Sequence, residues 1–248
     1  MMDSEPETEK DIANRLMTAL QKDEFVLYAQ TIVPLGAPQK QRLFQEIFVR
    51  LKEEDAMLLP PGTFFPILEE YHLLPYLDRW VVNRLARWVR GALRVKADWQ
   101  VPSSNVNLAS ETLLDADFGA YVRKYAANSF LDKGAIGFEI TWDTALKNAT
   151  WVRRLMGELR LHGCGFTLSG IDGSDESFAA MNAFTPNFVK MSATSVNPAK
   201  MPEIQRRCHL LGGKTIVEHV ENDQVLGHLR RLKIDFVQGF QLSPVEPL

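Results

Sequence analysis

The chain has 248 residues, 46% of them hydrophobic and 24% charged, and a net charge of −3. That make-up suits one soluble domain of barrel size, and so weak a charge argues against broad electrostatic binding to DNA, RNA or acidic membranes. The two cysteines, Cys164 and Cys208, lie far apart and show no zinc spacing with histidine, which argues against a disulfide framework and for a reducing cytoplasm; no apolar run approaches the roughly 20 residues that span a bilayer.

In chain order, residues 1–10 read as a frayed acidic tail, unlike a secretory signal, and the chain fits one piece of a longer protein. Residues 11–22 form an amphipathic helix with Ile12, Leu16 and Leu20 on one stripe. The predicted domain division is therefore a tail and helix over 1–24 and a single barrel over 25–248. A strand covers 25–33, a turn with Gly36 and Pro38 covers 34–41, and a second strand carries 46–51. A charged, proline-bounded loop over 52–61 leads to helices at 64–71 and 77–93, with Trp80, Leu85 and Trp88 facing inward. From there strands at 105–108, 136–141, 165–168, 188–191, 215–220 and 236–240 alternate with helices at 111–126, 143–162, 175–183, 198–211 and 222–232. Alternation of this kind predicts an α/β fold with a parallel sheet covered by helices, closed as a TIM-like (β/α)8 barrel.

A polar residue ends or interrupts each of these apolar runs: Glu46 in LFQEIFV, Asn107 in SNVNLA, Glu139 in IGFEIT, Lys190 in FVKMS, Glu218 in TIVEHV and Gln238 in DFVQGF. In a barrel these side chains converge on the face where such folds place their chemistry. One run, GFTLSGI, breaks the pattern and offers only Ser169 and Gly170.

The sequence resembles the EAL family of cyclic-di-GMP phosphodiesterases from about Phe25 to the C-terminus. The family's opening strand corresponds to Val26-Leu-Tyr-Ala-Gln30-Thr-Ile-Val33, and its namesake E-A-L-L-R to Glu46-Ile47-Phe48-Val49-Arg50. P-x-x-F-I-P is matched by Pro61-Gly-Thr-Phe64-Phe65-Pro66, and L-D-x-W by Leu77-Asp78-Arg79-Trp80. N-L-S, E-I-T-E and K-I-D are matched by Asn107-Leu108-Ala109, Glu139-Ile-Thr-Trp142 and Lys190-Met191-Ser192. A-E-G-V-E corresponds to Val217-Glu218-His219-Val220-Glu221, and Q-G-Y to Gln238-Gly239-Phe240. Each is weak alone; together, in the family's order, they make the resemblance specific. The main departure is Ser169-Gly170-Ile171-Asp172, where active members carry D-D-F-G.

The resemblance implies a two-metal phosphodiester hydrolase in active members, with cations about 3.5–4 Å apart that activate water and take hard oxygen ligands. Glu46, Asn107 and Glu139 match ligands of one metal and Glu218 a ligand of the other; the absent aspartates match a bridging ligand and its neighbour. Lys190 matches a lysine that helps hold the attacking water. With the bridge missing, the expectation is a catalytically silent domain without metal or cofactor requirement, in which those ligand positions are vestigial. Removing two carboxylates also lowers repulsion toward a ligand with two phosphates. The domain is therefore expected to bind cyclic-di-GMP independently of metal. Arg50 is expected to pair with phosphate or base, Gln30 and Gln238 to bond guanine or ribose, Phe48 to stack on a base, and Phe65 and Pro66 to line the same mouth. The other expected ligand contacts are Glu46, Asn107, Glu139, Lys190 and Glu218.

Plainer readings stay open at this level. The glutamates fit carboxylates paired with Lys190, Phe48 fits barrel core, Arg50 fits a surface ion pair, and Gln30 fits a strand cap. Asp172, Asp175 and Glu176 fit either replacement ligands or a solvated loop. In the family the loop that follows shapes a dimer surface, so homodimer formation is open; here 172–177 is polar enough to act as a switch. The leading expectation is a receptor that signals through an unidentified protein partner or upstream domains, with no DNA partner and no membrane span. The alternatives are a protein-interaction module that no longer binds the nucleotide, and a weak phosphodiesterase.

Overall fold

The computed structural model describes residues 8–36, 42–52, 58–127 and 134–248. Helix α1 (Glu9–Gln21) starts inside the stretch expected to be frayed, because Thr8 caps it: Thr8 Oγ1 accepts from Asp11 N while the Asp11 carboxylate reaches back to Thr8 N. Its Leu16, Ala19 and Leu20 pack in the same core as Phe25, so the helix belongs to the wall of the barrel domain.

The strands are β1 (Phe25–Thr31), β2 (Val33–Pro34), β3 (Phe44–Lys52), β4 (Leu58–Leu59), β5 (Ser103–Asn107), β6 (Ile136–Thr141), β7 (Gly165–Ser169), β8 (Phe188–Ser192), β9 (Lys214–Glu218), β10 (Phe236–Val237) and β11 (Glu246–Pro247). Strands β3, β5, β6, β7, β8, β9 and β10 pair in that order, all parallel. β1 pairs antiparallel with β3, and β2, its continuation beyond Ile32, pairs antiparallel with β10. The β1/β2 stave thus closes the ring at eight staves: β1/β2, β3, β5, β6, β7, β8, β9 and β10. The fold is the expected TIM-like α/β barrel, with one correction to an all-parallel ring. Between β1 and β3 the described residues carry no helix, and a parallel return would need a crossover that is usually one.

Helices α2 (Pro61–Glu70), α3 (Leu74–Val95), α4 (Ser110–Leu113), α5 (Phe118–Ala127), α6 (Trp142–Lys147), α7 (Ala149–Arg160), α8 (Asp175–Phe184), α9 (Met201–Leu210) and α10 (Asp223–Arg231) connect the staves. Their apolar stripes and the outward faces of the strands make one continuous core. Among the described residues no helix is long and apolar enough to cross a membrane.

Two features of the ring position the site. The N-terminal end is plugged by Ile32, Phe44, Ile216 and Phe236, with Phe188 against them; the Phe44 ring lies 4.7 Å from Phe188 and 5.6 Å from Phe236. Side chains on a strand return to the same face every second residue. Two residues beyond the plug the same strands therefore present Glu46, Lys190, Glu218 and Gln238 to the interior. The other feature is the length of β3. Its first residues, Phe44–Ile47, pair with Ser103–Val106, so Phe48 to Lys52 rise above the ring, flanked by β1 and β4, with β11 on the far side of β1.

Candidate ligand-binding site

Lys190 is the hub of the polar layer. Only 1% exposed, it donates from Nζ to Glu46 Oε2 (2.6 Å) and to Glu139 Oε2 (3.1 Å), and Glu218 Oε2 lies 3.5 Å away. Neutral amides take up much of the remaining acceptor capacity. Asn107 Nδ2 donates to Glu46 Oε1 (2.7 Å), Asn105 Nδ2 to Glu139 Oε2 (2.6 Å), and Gln238 Nε2 to Glu46 Oε2 (2.8 Å) and Gln30 Oε1 (2.9 Å). Gln30 Nε2 in turn donates to the Ser243 carbonyl (2.9 Å). Buried charges are tolerable only when paired and hydrogen-bonded in this way.

The two buried glutamates respond differently. Burial pushes the Glu46 carboxyl up, but the Lys190 charge and the bonds from Lys190, Asn107 and Gln238 outweigh it, and the net direction is down. For Glu139 burial prevails: it is pushed up to about 7, with Glu46 and Glu218 adding to the rise against Lys190. Burial alone would lower Lys190, yet the three glutamates hold it above the ordinary lysine value.

Above this layer the mouth is aromatic. Phe48 and Arg50 follow Glu46 on the same face of β3, and the Arg50 guanidinium sits 5.8 Å from the Tyr28 ring centre while donating to the Val49 carbonyl. Phe65 is 37% exposed, next to the exposed Pro66 on α2. Two cavities meet at Phe48. The larger, about 430 Å³, has Phe48, Phe65, Leu77, Asp78 and Asn107 among its walls. The smaller, about 210 Å³, includes Gln30, Glu46, Phe48, Glu218, Gln238 and Phe240. Another cavity, about 530 Å³, lies apart from the ring among β1, β11 and α3.

Of the residues expected from the sequence, Glu46, Asn107, Glu139, Lys190, Glu218, Gln238 and Gln30 come together in one network. Phe48 joins that network to the mouth, and Phe65 shares the larger cavity. Pro66 stands beside Phe65, while Arg50 lies one strand step further out. Residues not singled out as site residues also belong here. Asp78, 6% exposed, accepts from Ala109 N (3.0 Å) and Thr112 Oγ1 (2.6 Å), fastening the turn after β5 to α3. Burial pushes its carboxyl up to about 7, only partly opposed by those bonds. Its signal was present in L-D-x-W, where it reads as a helix start. Asn105, two residues before Asn107 on β5, is buried and donates to Glu139, and exposed Phe240 follows Gln238.

The end of β7 is built differently. Gly170 has φ +72°, and a Cβ placed there would stand 3.6 Å from the Trp142 ring. Ile171 is buried and its N–H donates to the Lys190 carbonyl. The Asp172 carboxylate turns away into its own loop, accepting from Ser174 N (2.9 Å) and Ser174 Oγ (2.6 Å), and Ser174 caps α8. Asp175 and Glu176 are exposed in the first turn of that helix. None of the three stands in for the missing aspartates.

The residues do not fit a binuclear metal centre. Glu46 and Glu139 are engaged by an ammonium and by amides, and β7 contributes one hydroxyl and a glycine. Among the described residues no group of three or more His, Cys, Asp or Glu is placed to hold a metal ion.

A closed TIM-like barrel whose strand ends carry an acidic ring bridged by a lysine defines the class of this domain. The EAL domain model matches residues 13–245, and the chain belongs to the EAL domain family. It is 26% identical over 244 residues to cyclic di-GMP phosphodiesterase PdeB of Shewanella oneidensis, covering 95% of this chain and 28% of that protein. It is 24% identical over 243 residues to cyclic di-GMP phosphodiesterase PdeF of Escherichia coli, covering 95% of this chain and 32% of that protein. The chain thus spans about a third of the length of these relatives. In fold it is similar to the Xanthomonas citri FimX EAL domain solved in complex with c-diGMP, with a TM-score of 0.86 at 23% identity over 97% of this chain and 96% of that one.

Proposed function

We propose that this domain is a cytoplasmic cyclic-di-GMP receptor that binds the nucleotide without metal, does not cleave it, and signals by protein contacts. The observation that carries the reading is the pairing of an acidic ring partly offset by Lys190 with two cavities that meet at Phe48. A cyclic dinucleotide has two purines on one dianionic ring. Two cavities about one aromatic side chain suit the purines, and Arg50 above them suits a phosphate. Lys190 offsets part of the charge of the three carboxylates from within, which lowers the repulsion a dianion meets without cations. The structure of a similar EAL domain in complex with c-diGMP supports the choice of ligand.

Loss of turnover is part of the same proposal. It rests on Ser169 and Gly170 at the end of β7, where neither residue supplies a carboxylate. Calorimetric titration of cyclic-di-GMP with and without a chelator, alongside a hydrolysis assay with magnesium or manganese, tests both halves. Binding that ignores chelator, without linear product, is the expected result. Metal-dependent binding with turnover identifies a weak phosphodiesterase instead, and absence of binding in either condition leaves a protein-interaction module.

A further inference from the structure

The cavity that lies apart from the ring, about 530 Å³, is larger than either cavity of the mouth. Leu27 and Tyr28 of β1 form one wall, Lys52 at the end of β3 a second, and Arg84, Arg87 and Trp88 of α3 a third. The α3 residues are three and four positions apart and so share one face of the helix. Three cations thus converge on one hollow, and the described residues pair them with one carboxylate. Asp23 accepts from both terminal nitrogens of Arg87 (3.1 and 2.9 Å) and from Trp80 Nε1 (3.1 Å). That leaves it little capacity for Arg84, which stands 3.9 Å away, beyond hydrogen-bond distance. The Lys52 ammonium has no ion pair among the described residues. A guanidinium and an ammonium only donate, and here they lack acceptors. Beside them Tyr28 and Trp88 supply aromatic surface. Convergent polar groups against apolar walls, at this volume, have the make-up of a small-molecule site.

We propose that this cavity is a second ligand site, for a small planar aromatic body that carries an anionic group. Arg84 and Lys52 take the charged group by charge-assisted hydrogen bonds, and the rings pack against Tyr28 and Trp88. Arg87, already held by Asp23, is a fixed part of the wall and adds its field to theirs. The site stands independently of the receptor reading: it shares no wall residue with either cavity that meets at Phe48.

The test uses the full chain and two fluorescent probes that differ by one charged group. These are 8-anilinonaphthalene-1-sulfonate and N-phenyl-1-naphthylamine, which has the same rings without the sulfonate. The sulfonate should saturate at one per chain and bind more tightly than the uncharged probe by about tenfold or more, as for a charged hydrogen bond made in one case and absent in the other. Arg84→Gln with Lys52→Gln should weaken the sulfonate by about tenfold or more and leave the uncharged probe nearly unchanged. Lys124→Gln with Lys147→Gln removes the same net charge from exposed positions on α5 and α6 and should move neither titration. Absence of saturable sulfonate binding overturns the proposal. So does a titration that the Arg84 and Lys52 changes leave unmoved, or that the control pair moves as far. Equal affinity for the two probes reduces the cavity to an apolar hollow and also overturns it; this comparison needs no variant and decides the matter even if one fails to fold. Excess cyclic-di-GMP should leave the sulfonate in place, whereas displacement would assign the probe to the mouth and overturn the second site without touching the receptor reading.

Discussion

The two sides of the barrel mouth are built on opposite principles. Across β3, β6 and β8 the strand ends carry full charges, and these are neutralised by contact: Lys190 lies between Glu46 and Glu139 with amides around them. At β7 there is no charge to neutralise. Ser169, Gly170 and Ile171 close the strand with a hydroxyl, a left-handed turn and a buried aliphatic side chain, with Trp142 against the glycine. A lysine buried among carboxylates could belong to a catalytic site or a silent one. The uncharged neighbouring strand end, with a tryptophan against its glycine, offers a cation no carboxylate, and the proposed loss of metal binding rests there.

Lys190→Met should have the largest effect, because it breaks the charged side at its hub. It leaves two carboxylates buried without their counter-charge, a loss of about 3–5 kcal/mol, read as a lower urea midpoint with unchanged slope. A loss below about 1 kcal/mol would mean that the pairing contributes little and that the acidic ring is tolerated for another reason.

The pH dependence sharpens the same side. Glu139 and Asp78 are both held up to about 7, well above the ordinary values of 4.5 and 3.8. Over that window the folded protein binds more protons than the unfolded one, so each carboxyl makes stability fall as pH rises toward about 7. Glu46 runs the other way. Its folded value lies below the unfolded one, so its stabilisation is present above 4.5 and is lost as pH falls through the folded value. Glu139→Gln should remove one share of the decline toward pH 7, on the order of 1–3 kcal/mol, and, by removing a neighbouring negative charge, move the acid limb set by Glu46 to lower pH. Unfolding at a series of pH values checks it; an unchanged decline assigns the slope to Asp78 or elsewhere.

Arg50→Ala acts on neither wall of the ring but on the mouth above it. It should weaken cyclic-di-GMP by about 1.5–3 kcal/mol, as for hydrogen bonds to a charged group, and leave the unfolding midpoint unchanged. Equal loss of binding and stability would return Arg50 to a structural role.

The charged side was legible in the sequence and the uncharged side only half so. Glu46, Asn107, Glu139, Lys190, Glu218 and Gln238 could be placed together because a strand end in a barrel has one address and the side-chain period is fixed. What the period cannot give is pairing. The contacts of Lys190 with both glutamates join residues 144 and 51 positions apart. Asp78 escaped because a helix-start aspartate ordinarily caps its own helix, whereas here it fastens a turn 31 residues further on. The loop over 172–177 reads as polar by composition; that Asp172 bonds Ser174 and Ser174 caps α8 does not show in a count of polar residues. The N-terminal helix start was missed for the complementary reason: a capping box lay inside an acidic stretch that read as disordered.

Restoring aspartates at 169 and 170 is the smallest expected change and the one that tests the uncharged side directly. Gly170 occupies the left-handed region, where a side chain costs roughly 1–2 kcal/mol. An added Cβ would stand in ordinary contact with the Trp142 ring, so the cost there is set by the backbone conformation. Across the mouth, Lys190 would still hold Glu46 and Glu139, leaving a cation to compete with an ammonium for each of them. Ser169→Asp with Gly170→Asp should therefore lower stability by about 1–2 kcal/mol and give neither metal-dependent thermal stabilisation nor linear product with magnesium or manganese. If the double variant does gain turnover, the two sides of the mouth are less different than their packing implies, and silence at this site rests on two side chains alone.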